Sequence, residues 1–220
     1  MVLAGQVAVV ASSFPVLAGL LHWAGRDRGF RWLWIWLAFG FVLNIVMWVM
    51  GAQSQRTTVL VQLTYPIFAI LGLGSIAVLA GSRPVAGWCA LGVAAYLPFW
   101  LWRLVQREAD GNFSVYTGPV LWMMLTLGAI ALIVARLRES AASPLRDPVV
   151  IVGFAVLISY APGAALEPLS DMLYASHRDL TFVLWIARSC LVTIGSLLFT
   201  LAFAWTLPPR LSPGSPLSAA

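Results

Sequence analysis

The chain contains no lysine; all 13 of its basic residues are arginine. A retinal Schiff base needs a lysine amine, so a retinal-binding protein is excluded, as is any other lysine–imine chemistry. Charge of either sign is scarce. Charged residues fill 10% of the 220 positions and hydrophobic ones 61%, against about 25% and 45–50% in a soluble domain. That balance is that of an integral membrane protein. Two cysteines are present, Cys89 and Cys190, and both fall inside apolar runs. They read as small core hydrophobes, not as a disulfide or a metal pair.

Catalytic signatures are absent as well. There is no G-x-S-x-G, no H-E-x-x-H, no Cys-x-x-Cys and no phosphate loop. No pair of acids lies mid-membrane, and no Ser/His pair is placed for intramembrane proteolysis. The expectation is a non-enzymatic protein with no metal and no resident cofactor, although a bound lipid or pigment would fit such a chain. No loop is long enough to build a soluble catalytic or nucleic-acid-binding domain, so the net charge of +5 reports topology and not a nucleic-acid partner.

Long apolar runs are what the chain does have. A membrane-spanning helix needs about 20 mostly apolar residues. Seven stretches qualify: 3–24, 31–51, 58–81, 85–106, 115–135, 148–168 and 181–206. The first lacks a positive leading region and a small-residue cleavage site, so it reads as a span and not as a signal peptide. The predicted fold is an all-α, seven-helix transmembrane bundle over 1–207. A tail over 208–220, rich in Pro, Ser and Gly, is expected to be disordered. Arginine asymmetry orients the bundle. Arg26, Arg28, Arg31, Arg83, Arg136, Arg138, Arg146 and Arg210 fall on one side; Arg56, Arg103, Arg107 and Arg178 fall on the other. The first side is expected to be cytoplasmic, which puts the N-terminus outside and the C-terminus inside a plasma or bacterial inner membrane.

Placed by direction, the polar residues collect in the outer half. Asn44, Gln62, Tyr65, Tyr96, Tyr160, Glu167 and Arg188 all fall there. Four of the five tyrosines lie within three residues of a following proline: Tyr65 with Pro66, Tyr96 with Pro98, Tyr116 with Pro119 and Tyr160 with Pro162. Proline removes a helix hydrogen bond, and the freed carbonyl must find a partner inside protein or in a wet cavity. The densest such stretch is Ser159–Asp171. An outward-facing, polar, aromatic-lined cavity is one reading. The plainer one is that these residues glue helices together.

Arg188 is the sharpest single residue. An arginine that deep costs a few kcal/mol unless it pairs or snorkels (about 3 kcal/mol on insertion scales). Glu167 is its natural partner and Asp171 the second; an anion clamp is the functional alternative. Ser189, Thr193, Ser196 and Thr200 share one face of the last helix and read as a packing stripe. His22, beside Trp23, reads as interfacial, with a single axial bond to a chlorophyll-type pigment as its remaining functional use. His177, Arg178 and Asp179 read as a solvated outer loop. Trp32, Trp34, Trp36, Trp100 and Trp102 read as interface belts, with one side of the Trp32–Trp36 run meeting lipid or a partner.

These residues support two functions. The first is an accessory or scaffold subunit of a larger membrane assembly, respiratory or photosynthetic in type, contacting lipid and other membrane subunits. The second is a ligand-binding sensor or carrier built on the outer cavity.

Overall fold

The computed structural model describes residues 2–21, 23, 26–53, 57–106, 114–139 and 146–206, with only the backbone described at 2–5, 52 and 171. Among these residues the protein is all-helical: α1 (Val2–Leu20), α2 (Arg28–Ala52), α3 (Thr58–Ala80), α4 (Arg83–Val105), α5 (Thr117–Glu139), α6 (Pro148–Ser176) and α7 (Arg178–Trp205). Helices α2 to α7 are each long and apolar enough to cross a membrane; the apolar stretch of α1, Gln6–Leu20, is shorter. This is the pattern of a multi-pass membrane protein whose outer surface meets lipid.

Local chemistry sets the helix ends. Asp147 caps α6, its Oδ1 accepting from the Val149 N–H at 2.8 Å, and Pro148 fills the first helical position, where no N–H is needed. Arg136 from the end of α5 pairs with the same carboxylate at 3.1 Å. Helix α3 stops at Gly81, whose φ of 63° is the left-handed conformation that glycine adopts without strain. His177 alone links α6 to α7.

The helices close a ring in the order α1, α2, α3, α5, α6, α7, and α4 packs outside it against α3 and α5. The most extensive packing is of α6 on α7 and on α5. Leu33, Trp36, Ile76, Leu121, Leu125, Leu132, Val152, Val156 and Phe203 are fully buried at the centre.

Four expectations change. Helix α6 continues through Pro162 and Pro168 to Ser176, eight residues past its expected end. Arg178 and Asp179 therefore open α7 instead of forming a loop. Arg178 stands 5.4 Å over both the Tyr174 and Phe182 rings, tying the hairpin tip together. Trp36 is 1% exposed: it belongs to the core, not to an interface belt. Trp34 turns toward α1 and donates to the Val16 carbonyl at 2.8 Å. Of the two cysteines, Cys89 is buried as expected, but Cys190 is exposed on the outer face of α7. In a bilayer that face meets apolar lipid, so the sequence offers no sign that distinguishes it from core.

Candidate ligand cavity

The proline-rich half of the bundle solves its hydrogen bonding locally. Pro66 has no N–H for the Gln62 carbonyl one turn back. The Trp100 indole, reaching across from α4, donates to that oxygen at 2.8 Å. Tyr96, also on α4 and 1% exposed, donates its hydroxyl to the Thr117 carbonyl at 3.2 Å, at the start of α5. On α7 the small polar stripe satisfies itself: Ser189, Thr193, Ser196 and Thr200 each donate to the carbonyl four residues earlier. Gly195 on that face lies against the Ser159 hydroxyl of α6.

Arg188 and Glu167 meet. Arg188 is ten residues into α7, about 15 Å from its start, and its Nη2 stands 2.9 Å from Glu167 Oε1. The second carboxylate oxygen accepts from the Trp122 indole N–H of α5 at 2.8 Å. The guanidinium also lies 4.6 Å over the Trp185 ring. Two glycines make room. A Cβ at Gly163 would sit 3.0 Å from both Arg188 Nη2 and Trp122 Cδ1. A Cβ at Gly118 would collide with Glu167 Oε2 and stand 2.7 Å from the Tyr65 hydroxyl. The acid is thus held by a charge and an indole donor, which is how a desolvated carboxylate becomes tolerable.

Beside this pair runs an aromatic ladder. Tyr160 is stacked between Trp36 (5.5 Å, 19°) and Trp122 (5.1 Å, 21°). Tyr65 meets Trp122 edge-on at 5.7 Å, and Phe199 meets Trp36 edge-on at 6.4 Å. The ladder and the ion pair form one wall of a cavity of about 610 Å³, within the range of small-molecule sites. Ala8, Ser12, Asn44, Thr58 and Ser189 contribute to its other walls. Its lining runs over Ala8 to Pro15 of α1, Trp36 to Trp48 of α2, Thr58 to Phe68 of α3, Ser159 to Glu167 of α6 and Trp185 to Phe199 of α7, with Trp122 of α5.

Of the residues singled out by sequence, Asn44, Tyr65, Tyr160, Glu167 and Arg188 line this cavity. Gln62 and Tyr96 do not; both are buried in helix packing. The Gln62 side-chain amide has no hydrogen-bond partner among the described residues. Tyr116 is half exposed and stacks under Arg103, 3.8 Å from its guanidinium. His22, Arg56, Arg107, Arg210 and the tail lie outside the described residues, as does the side chain of Asp171. Sequence reasoning placed Trp36 in an interface belt and did not pick out Trp122 and Trp185. An indole N–H inside an apolar run must find an acceptor, and for Trp122 that rule points to the nearest buried acid.

Arg26 has a different task from the one its place in the arginine count suggests. It is 5% exposed and donates to the carbonyls of Ala18 (2.8 Å) and Leu21 (3.2 Å) at the end of α1 and of Phe203 (3.1 Å) at the end of α7. It also donates to the Thr206 hydroxyl. Its charge sits against two helix C-termini, where partial negative charge gathers.

Among the described residues no group of three His, Cys, Asp or Glu could hold a metal ion. Neither protein-family models, nor curated proteins, nor solved structures give a match to this chain.

Proposed function

We propose that this is a membrane-embedded binding protein, a sensor or carrier, whose site is the cavity beside the Glu167–Arg188 pair. One observation carries the reading. A buried ion pair costs several kcal/mol of desolvation per ion, about as much as its attraction returns, yet here it faces a cavity of about 610 Å³. A pair that served helix packing alone would need no such space. The reading adds seven spans, with the N-terminus outside and the C-terminus in the cytoplasm of a plasma or bacterial inner membrane. Its support is that Arg26, Arg28, Arg31, Arg83, Arg136, Arg138 and Arg146 all lie at one end of the helices, the bias expected of a cytoplasmic side. Reporter fusions at the C-terminus that are active only outside the cytoplasm would overturn that orientation.

The cavity reading is tested by native mass spectrometry of the protein released from gentle detergent. The wild type carries a bound small molecule, and Ser189→Phe, which fills the cavity, loses it without losing thermal stability. An empty wild type, or retention in Ser189→Phe, would defeat the reading.

A second reading, an accessory subunit of a larger assembly, rests on α4. Trp88 is 72% exposed there, beside an apolar groove of about 230 Å³ lined by Val85, Gly92, Met124 and Gly128. Crosslinking from position 88 to a stoichiometric second protein in native membranes would favour it.

A further inference from the structure

We infer, resting on the binding-protein reading, that the cavity takes an uncharged amphiphile whose polar head both donates and accepts hydrogen bonds, as a hydroxyl does, and that Asn44, Arg188 and Ser189 recognise that head. All three line the cavity. On α2, Trp36, Gly40, Asn44 and Trp48 follow one another at four-residue steps and all line it, so Asn44 lies within the face that α2 turns to the cavity. The Phe30 and Phe203 rings, 5.7 Å apart, set the start of α2 against the end of α7. Measured from there, Asn44 is about 21 Å along α2 and Arg188 about 22 Å back along α7. The amide and the guanidinium therefore stand at one level of the bundle.

The bonds these groups already make define what they still offer. The Asn44 amide makes no hydrogen bond among the described residues, and neither of its polar atoms is sealed off. It offers two donors and an acceptor. Arg188 spends Nη2 on Glu167 at 2.9 Å, and its Nε is sealed against Gly163. Its Nη1 is neither sealed nor partnered among the described residues, and it can only donate. Ser189 is the converse. Its hydroxyl proton is given to the Trp185 carbonyl at 2.9 Å, as that of Ser12 on α1 is given to the Val9 carbonyl at 2.7 Å. Both oxygens turn only lone pairs to the cavity. Unmet donors and unmet acceptors thus share one wall. A ketone would answer the donors alone, whereas a hydroxyl answers both. Glu167 and Arg188 are the only charged residues among those lining the cavity, and they neutralise each other. A ligand charge of either sign would stand unbalanced where little screens it. Phe41, Met47 and Val192 suit an apolar body behind the head.

The test uses the full chain in lipid nanodiscs and probes of equal chain length: 1-undecanol, 2-undecanone, undecanoate and undecylammonium. The readout is a saturable rise in melting temperature followed by tryptophan fluorescence. The expected result is that 1-undecanol binds the wild type most tightly, with 2-undecanone about fivefold weaker, as for one hydrogen bond fewer. In Asn44→Leu, which removes no bond within the described protein, the affinity for 1-undecanol should also fall about fivefold. The wild-type ranking needs no variant, so a misfolded Asn44→Leu would not blunt the test. If 2-undecanone matches 1-undecanol, the requirement for a donor on the ligand is wrong. If undecanoate or undecylammonium ranks first, the uncharged class is wrong. In both cases the cavity remains a binding site. If 1-undecanol binds Asn44→Leu as tightly as the wild type, recognition by Asn44 is wrong. If no probe gives a saturable shift beyond that seen in Ser189→Phe, the inference is overturned, and native mass spectrometry of the wild type decides separately whether the cavity binds anything but water.

Discussion

Removing the two partners of the Glu167–Arg188 pair should not cost the same. At 2.9 Å the gross attraction is roughly 6 kcal/mol for an effective dielectric of 20, and desolvation offsets most of it. The side chains are 8% and 17% exposed, so whichever is left behind is largely without water. Glu167→Leu strands a guanidinium that cannot lose its proton, and it strips the Trp122 indole of its acceptor at the same time. The expected loss is about 4 kcal/mol, toward the upper end for a broken buried pair. Arg188→Leu leaves a carboxyl that keeps its Trp122 donor and can take up a proton to become neutral. The expected loss is about 2 kcal/mol. The double variant should be close to Arg188→Leu alone, giving a coupling of about 4 kcal/mol. Thermal melts in one detergent measure this; at about 2–4 °C per kcal/mol for a chain of this size, the two single variants differ by several degrees. Equal losses, or additivity within about 0.5 kcal/mol, would refute the argument that the stranded charge sets the cost.

Three further outcomes follow from local chemistry. Arg26→Met removes the donor to carbonyls of two helix ends and should lower stability by about 3 kcal/mol; Arg26→Lys recovers only part, because one ammonium cannot fork across both ends. Trp100→Phe leaves the Gln62 carbonyl without its partner at a cost of about 1–2 kcal/mol, and most of that cost should vanish in a Pro66→Ala background, where the helix supplies its own N–H; melts of the four proteins check this. Gly118→Ala drives a methyl into the Glu167 carboxylate and the Tyr65 hydroxyl. Melting should fall by at least as much as in Arg188→Leu, whereas Gly87→Ala, where a Cβ meets nothing within 4 Å, should be near neutral.

The spans were legible because bilayer thickness demands a length of apolar chain that little else explains. The Glu167–Arg188 meeting was legible from depth alone, since one buried charge calls for another at a matching level. What faces inward was much harder to read. In a soluble helix an apolar stripe marks the core. Here lipid and core are equally apolar, so Trp36 at the centre and Trp88 on the outside look alike in sequence. Prolines misled in the same way. Pro162 and Pro168 read as an approach to a helix end, yet α6 runs through both, because burial against α5 and α7 compensates for lost backbone bonds. Gln62 and Tyr96 were placed at the right level of the bundle but on faces turned to other helices, which level alone does not reveal.

The single-residue link at His177 has a mechanical consequence. Helices of 29 and 28 residues measure about 43 and 42 Å, well beyond the roughly 30 Å of hydrocarbon. A joint of one residue leaves no slack for either to slide along the other, and the Glu167–Arg188 pair acts as a second rivet below it. The wall built from α6 and α7 therefore behaves as a stiff post. Any change in the volume of the cavity has to come from α1, α2 and α3 swinging against that post, with Trp36, carried by α2 and stacked on Tyr160 of α6, as the contact across which the two halves part.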